Sequence, residues 1–225
     1  LCVIAVPADR SPLLRIRAAH RASALAEHFR DQGKHVLLIM DSLTRVAHAR
    51  REIGLALGEQ PTAKGYPASV MSLIPSLVER AGMGDTTSGG SITGIYTVLA
   101  DGDDTNDPVV DSARAILDGH VVLSRANAQM GIYPAVDISA SISRVMNDIV
   151  DPKHLAAARR MRQLVSLYME NRDLMLMGGY VEGQDADLDQ AVKLWPKIVE
   201  FISQRSDSRA DFKTSIRDLL AVAGT

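Results

Sequence analysis

The hydrophobic positions along the first part of the chain form short apolar runs that alternate with helical patterns. Two of these runs, Leu1–Val6 and His35–Met40, have the length and continuity of strands buried on both faces of a parallel sheet. Between them, Ser11 and Pro12 provide an N-cap and a first helical residue, and Gly33 provides a left-handed end for the helix. This order of strand, helix and strand predicts a parallel pair joined by a right-handed crossover.

The pattern changes near residue 151, which divides the chain into two predicted parts. Before that point the alternation continues, with helices at about 44–57, 69–80 and 111–117 and strands at about 92–100 and 120–124. After it the pattern is helical throughout, beginning with one long helix at about 154–177. We therefore predict an α/β domain over residues 1–150 and an all-helical domain over residues 151–225.

The composition is that of an ordinary globular protein. Of the 225 residues, 46% are hydrophobic and 23% are charged, as in soluble domains, and no apolar run approaches the ~20 residues of a transmembrane helix. A formal net charge of −2 argues against a protein whose main task is to bind nucleic-acid phosphates. The single cysteine, Cys2, excludes an internal disulfide and fits a reducing compartment. Because the chain opens within an apolar run and without a methionine, we expect it to be part of a longer protein.

One acidic residue, Asp41, directly follows the predicted strand His35–Met40. A carboxylate at the carboxyl end of a parallel strand lies at the edge of the sheet where α/β folds bind ligands. In nucleotide hydrolases this is the Walker B position, whose aspartate holds magnesium, usually through water. The alternative is that Asp41 is the N-cap of the helix that begins at Ser42.

Several other kinds of chemistry find no support in the sequence. The phosphate-binding motif Gly-x-x-x-x-Gly-Lys followed by Ser or Thr does not occur in the 225 residues, and the glycine-rich stretch 82–91 has no Lys-Ser or Lys-Thr pair. The six histidines form neither a His-Glu-x-x-His motif nor a cluster with cysteine, which argues against a zinc site. Ser42 and Ser88 lack the Gly-x-Ser-x-Gly context of an acyl-transfer nucleophile.

An ordered series of motifs over nearly the whole chain resembles the ATPases of type III protein export, in their flagellar and injectisome forms. These are relatives of the catalytic subunits of rotary ATP synthases. The motifs are DSLTR (41–45), REIGLA (51–56), GYPAS (65–69), ERAG (79–82), GSIT (90–93), GDD (102–104), DP (107–108), ILDGH (116–120), LSR (123–125), YPAVD (133–137) and SISR (141–144). The motifs NRDL (171–174) and LWP (194–196) favour the flagellar branch.

The resemblance implies a RecA-like P-loop NTPase core, present here in part, followed by a helical C-terminal domain. In this family six subunits form a ring with ATP at each interface. By resemblance Asp41 binds magnesium through water, Arg45 lies next to the site, and Tyr133 packs on the adenine. Arg144 matches the arginine finger that acts on the neighbouring subunit's ATP. The alternatives are a turn residue under a loop for Tyr133 and a surface salt bridge for Arg144.

The resemblance also implies partners. Asp103, Asp104 and Asp107 match a loop that faces the central channel, where a stalk protein sits; without the family context they are a solvated acidic loop. The family further implies export chaperone–cargo complexes as partners, no nucleic acid, and a bacterial cytoplasmic location at the periphery of the inner-membrane export gate.

The resemblance also implies that the P-loop and the catalytic glutamate of the family lie upstream of the position of Leu1. We therefore predict that this chain contributes to ATP hydrolysis for protein export but does not hydrolyse ATP alone. One alternative is a catalytic subunit of a proton-translocating rotary ATP synthase. A second is a non-catalytic fragment that only binds partner proteins.

Overall fold

The computed structural model describes residues 1–87, 89–100 and 107–224, which group into two compact units, Leu1–Leu117 and Asp118–Thr225. The first unit contains helices α1 (Pro12–Asp31), α2 (Leu43–Ala56), α3 (Ala68–Val78) and α4 (Pro108–Ile116), a short 3-10 turn (Ala63–Gly65), and strands β1 (His35–Met40), β2 (Gly82–Met83) and β3 (Ser91–Tyr96). The predicted helix after Ser11 and the predicted strand 35–40 are confirmed. Gly33 has the left-handed conformation expected of it, with φ 78°.

The sheet of the first unit has the order β1-β3-β2. β1 and β3 are parallel and in register over six residues, from His35 opposite Ser91 to Met40 opposite Tyr96. The short β2 is antiparallel to β3. The parallel register brings the carboxyl ends of β1 and β3 to the same edge of the sheet, so the residues that follow Met40 and Tyr96 lie side by side.

Among the described residues, helices cover only one face of this sheet. Burial alternates along β1 and β3, with Met40 and Ile92 buried on the face that joins the core. On the opposite face Leu37, Ile39 and Ile95 are 60%, 63% and 50% exposed. The prediction of a strand buried on both faces is therefore wrong for β1, because helices of this unit pack on one side only.

The predicted strand Leu1–Val6 is not formed. The segment lies outside all described strands, and Leu1, Val3 and Ile4 are exposed. Within the described residues, β1 pairs only with β3, so no ladder extends from its other edge to this segment. Hydrophobicity predicted burial here, but a strand also needs a partner edge.

The core of the first unit is built mainly by the helices. Leu43, Val70, Ile74, Leu77 and Val109 have no solvent exposure. Each such aliphatic side chain contributes ~1.5–3 kcal/mol when fully buried. The core therefore anchors α2, α3 and α4, and with them the chain segment that leaves β1.

The second unit combines a two-stranded sheet with a helical layer. It contains strands β4 (Gly119–Leu123) and β5 (Val136–Ser143) and helices α5 (Arg125–Gln129), α6 (Met146–Ile149), α7 (Pro152–Leu176), α8 (Ala186–Ile202) and α9 (Phe212–Ala223). β4 and β5 are antiparallel, with an irregularity between His120 and Val122. Ala157, Leu164, Ala191 and Ile198 form the fully buried centre of the helical layer.

The long predicted helix is confirmed as α7. The Asp151 side chain caps it by accepting hydrogen bonds from the backbone N–H groups of Lys153 and His154. The compact units divide after Leu117. This division does not test the domain boundary predicted at residue 151, which stays a prediction. In the described part of the chain, none of the helices is both long enough and apolar enough to span a bilayer.

Candidate functional site

Asp41 lies where β1 ends, beside the residue that follows β3. The hydroxyl of Thr97 donates a hydrogen bond of 2.6 Å to Asp41 Oδ1. Two backbone hydrogen bonds hold the segments together, from Thr97 N–H to the Met40 carbonyl at 3.1 Å and from Leu43 N–H to the Thr97 carbonyl at 3.0 Å. The structure therefore places Asp41 at the carboxyl edge of a parallel pair, as the sequence predicted.

The alternative interpretation of Asp41 as a helix cap is wrong. The N-cap of α2 is Ser42, whose side-chain oxygen accepts a hydrogen bond of 3.3 Å from the Arg45 backbone N–H. Ser42 is buried, whereas Asp41 is exposed. The carboxylate of Asp41 is thus not used to cap α2 and is available to bind a ligand. The Asp41–Ser42 peptide bond is cis.

Arg45 lies in the first turn of α2, with its side chain exposed. Its neighbours Leu43, Thr44 and Val46 are buried and fix the orientation of the turn. A cation gains nothing from the helix dipole at this end, where the partial charge is positive. Arg45 follows Asp41 by four residues, at the start of the helix that leaves the sheet edge.

Thr44 fastens the chain beyond β3 to the start of α2. Its hydroxyl accepts a hydrogen bond of 2.8 Å from Leu99 N–H and donates one of 3.3 Å to the Leu99 carbonyl. Thr44 is buried, with 5% of its surface exposed. The segment that carries Thr97 is consequently held on both sides, by β3 and by this pair of bonds.

Tyr133 lines an open cavity of about 820 Å³ in the second unit. The other lining residues are Gly131, Pro134, Ser203, Gln204, Arg205, Ser206 and Ser208. The backbone N–H of Gln204 donates a hydrogen bond of 2.7 Å to the Tyr133 carbonyl, which ties the two walls together. The Tyr133 side chain is 56% exposed, so it is not buried beneath a loop, and its ring offers an apolar face to the cavity.

The charges at this cavity are partly neutralised. Arg205 makes a bidentate ion pair with Asp207, at 2.9 Å and 2.8 Å. Its hydrogen bond lowers the pKa of the Asp207 carboxyl. The cavity wall therefore presents hydroxyl, amide and paired groups more than net charge.

Arg144 directly follows β5. Its backbone N–H donates a hydrogen bond of 2.8 Å to the Asp118 carbonyl, which closes the end of the β4–β5 ladder. The residue is exposed. The ladder thus fixes the backbone of Arg144 while its side chain extends from a strand end.

Asp107 has a structural task of its own. It is 6% exposed, its Oδ1 accepts a hydrogen bond of 2.8 Å from Val109 N–H as the cap of α4, and its Oδ2 lies 3.8 Å from Lys64 Nζ. Asp103 and Asp104 lie outside the described residues. The predicted contact of these three residues with a stalk protein stays a prediction.

The candidate residues are divided between the two compact units. Asp41 and Arg45 belong to the first unit, and Tyr133 and Arg144 to the second. Sequence reasoning missed Thr97 and the wall at 203–208. Thr97 could have been found from the sequence, because it is a polar residue directly after the strand that pairs with β1. Among the described residues, no group of three or more His, Cys, Asp or Glu is arranged to hold a metal ion.

Residues 1–143 match the family model of the ATP synthase alpha/beta family, nucleotide-binding domain. The chain belongs to this family. Residues 150–221 match the model of the T3SS EscN ATPase C-terminal domain. The predicted fold class, a partial RecA-like α/β core followed by a helical C-terminal part, is thereby confirmed, as is the resemblance to export ATPases.

Individual relatives agree with both matches. The flagellum-specific ATP synthase of Salmonella typhimurium is 56% identical over 217 residues, which is 96% of this chain and 47% of that protein. The assembled ATPase EscN of the enteropathogenic E. coli type III secretion system aligns with a TM-score of 0.90 and 46% identity, over 96% of this chain and 52% of EscN. EscN in complex with its central stalk EscO aligns with a TM-score of 0.85 and 44% identity, over 97% of this chain and 51% of that EscN chain. The chain spans about half the length of the family members that it matches.

Proposed function

We propose that this chain is part of an ATPase that drives flagellar or type III protein export. The observation that carries the proposal is Asp41, held by Thr97 at the carboxyl edge of a parallel strand pair, in a chain related to export ATPases along its length. The match of residues 150–221 to an export-ATPase domain favours export over a proton-translocating ATP synthase.

Asp41 fits a magnesium site of the kind that nucleotide hydrolases use. Magnesium keeps several waters and takes one or two carboxylates together with substrate phosphates, so a cluster of protein ligands is not required. The exposed carboxylate of Asp41 meets this description. When bound with ATP, magnesium neutralises and orients the phosphates. In this proposal Asp41 would hold the metal through water, and Arg45 would supply positive charge nearby.

Arg144 suits the role of an arginine finger. A guanidinium meets phosphate oxygens with several donors in one plane, and it keeps its charge at all physiological pH values. Arg144 is exposed on a backbone that the β4–β5 ladder holds. It would act on ATP bound to a neighbouring subunit, in a ring that we take to contain six copies.

The cavity at Tyr133 fits the base of the nucleotide. A flat aromatic face stacks on adenine, and the side-chain oxygen of Gln204 and the hydroxyls of Ser203 and Ser206 offer hydrogen bonds to its edge. In this assignment Tyr133 keeps its predicted role at the adenine, and residues 203–208 form the other wall of the adenine site.

The proposed partners follow from the relatives. EscN has been solved with its central stalk EscO, and we propose a stalk partner for this protein as well, with Asp103, Asp104 and Asp107 near the contact. Export chaperone–cargo complexes and the periphery of the membrane export gate complete the proposal. It places the working protein in the bacterial cytoplasm.

A hybrid ATPase tests the proposal. In the Salmonella typhimurium flagellum-specific ATP synthase, the homologous 217-residue segment is replaced by this chain. We expect magnesium-dependent phosphate release and restored swimming in a strain that lacks its own ATPase. The 225-residue chain alone should show no turnover, since it lacks the Lys-containing phosphate-binding motif.

Asp41→Asn is the decisive variant of the hybrid. Loss of the carboxylate should lower the hydrolysis rate by about 10–100-fold, as is typical when a group that acts on metal-bound water is removed. Asp9→Asn, the same change at an exposed turn residue, serves as the matched control. A hybrid that assembles but does not hydrolyse ATP would contradict the proposal, and full activity of Asp41→Asn would remove Asp41 from it.

A further inference from the structure

We propose that Thr97 is a positioning residue for Asp41. Its hydroxyl holds the carboxylate in the orientation that receives magnesium-bound water. The inference rests on the proposed function, because it concerns the same site. It assigns a role to a residue outside the motifs that identified the family.

The geometry of the pair is set by the backbone. The bond from Thr97 Oγ1 to Asp41 Oδ1 is 2.6 Å, which is the length of a charge-assisted O–H···O⁻ bond. The backbone bonds between Thr97 and the residues on either side of Asp41 fix the separation of the two side chains. The register of the backbone, and not the choice of one side-chain rotamer, therefore brings the Thr97 hydroxyl to the Asp41 carboxylate.

The chain after Thr97 is also fixed. Thr44, buried at the start of α2, holds both the N–H and the carbonyl of Leu99. Thr97 thus lies between an ordered strand and an anchored residue. Because Thr97 and Asp41 are themselves exposed, such anchoring is what allows the hydroxyl to compete with water for the carboxylate.

A hydroxyl is chemically suited to this task. It donates one hydrogen bond without bringing a positive charge that would repel magnesium. An ionised carboxylate accepts on both oxygens, and no other side-chain hydrogen bond to Asp41 occurs in the described part of the chain. Oδ2 and the second lone pair of Oδ1 consequently remain as acceptors for water on the metal.

The first experiment measures the orientation of Asp41 in the 225-residue chain by NMR. Three-bond couplings across its Cα–Cβ bond report which χ1 rotamers are populated. We expect one dominant rotamer in the unaltered chain and in Thr97→Ser, which keeps the hydroxyl, and averaging in Thr97→Val, which has the same shape without it. Thr93→Val is the matched control, because Thr93 is exposed on the same face of β3 and makes no contact with Asp41.

The second experiment measures magnesium dependence in the hybrid ATPase described above. For Thr97→Val, the free Mg²⁺ that gives half-maximal binding of a fluorescent ATP analogue, and half-maximal hydrolysis, should rise on the order of 10-fold. Hydrolysis at saturating Mg²⁺ should be largely retained. Thr97→Ser and Thr93→Val should leave the magnesium requirement unchanged.

The outcomes separate the two proposals. Unchanged Asp41 couplings in Thr97→Val overturn the positioning role. So does an unchanged magnesium requirement in an active hybrid, since Thr97 is then structural only. An assembled hybrid that neither binds nor hydrolyses ATP overturns the proposed function and the magnesium role of Thr97 together, even where the couplings show that Thr97 orients Asp41.

Discussion

The two units hold their candidate residues by different means. In the first, Asp41 is fixed by parallel register, by its bond to Thr97 and by the backbone bonds on either side. In the second, Tyr133 lies on an open cavity and Arg144 on the end of a two-stranded ladder, both exposed. The first arrangement suits a group that must hold a fixed orientation. The second suits groups that approach a ligand from outside.

The largest expected effect concerns Arg144, and it tests whether an exposed candidate residue is less important than one that is held in place. Replacing Arg144 by Ala in the hybrid ATPase should lower the hydrolysis rate by about 10³-fold, the lower end of the effect of an arginine finger. Nucleotide binding should change far less. Arg144→Lys should fail to restore the rate, because a point charge does not reproduce the planar donors.

The control for this prediction is Arg162→Ala, at an exposed position of α7 with no assigned role. It should leave the rate unchanged. If Arg144→Ala hydrolyses ATP at the rate of Arg162→Ala, the residue is a surface group and the proposed ring chemistry fails.

A second prediction sharpens the comparison by showing that the units differ in their sites and not in their cores. Leu77→Ala and Leu164→Ala, each at a fully buried leucine, should both lower the free energy of unfolding by ~2–5 kcal/mol. Urea unfolding, followed by amide exchange in the unit concerned, measures the loss. A large difference between the two would mean that one unit is loosely packed.

Exposed leucines provide matched controls for these core variants. Leu57 and Leu176 are 73% and 74% exposed, so Leu57→Ala and Leu176→Ala should change the unfolding free energy by less than about 0.5 kcal/mol.

The smallest predicted effect concerns an ion pair that joins α1 to the end of α3. Arg80 donates two hydrogen bonds to Glu27, at 2.7 Å and 2.6 Å. The Arg80 hydrogen bond lowers the pKa of Glu27 below its ordinary value of 4.5. Because the folded carboxyl binds its proton less readily than the unfolded one, the stabilisation is complete above pH 4.5 and is lost as the pH falls through the folded pKa.

Glu27→Gln should therefore lower stability by about 1 kcal/mol at neutral pH, as expected for a well-formed pair near the surface. The deficit should shrink in acid, where the unaltered chain loses the same interaction. Urea unfolding at several pH values measures this trend, with Glu79→Gln as the control. A deficit that does not depend on pH would show that packing, and not charge, is what Glu27 contributes.

Much of the first unit could be predicted because local signals agreed. Pro12 and Gly33 marked the ends of α1, and a continuous apolar run marked β1 within its observed bounds. The position of Asp41 followed from the end of that strand. By contrast, Leu1–Val6 had a strong local signal without a partner strand, so its prediction failed.

The second unit depended more on contacts that sequence does not reveal. β5 alternates apolar and polar residues from Val136 to Ser143, yet its pairing with β4 is a long-range property. The cavity at Tyr133 needs residues 203–208, some 70 positions away, as its other wall. That Asp107 caps α4 could be inferred from its place before Pro108, whereas its predicted contact with a partner stays a prediction. Tyr133 and Arg144 were identified only through resemblance to the family.

The exposed face of the first unit's sheet has a practical consequence for handling this chain. Leu37 and Ile39 of β1 and Ile95 of β3 form an exposed apolar patch, and β1 has one ladder among the described residues. An apolar strand at the edge of a sheet is a template for strand addition between molecules. We therefore expect concentrated solutions of the isolated chain to aggregate, and we expect Ile39→Lys to reduce that aggregation.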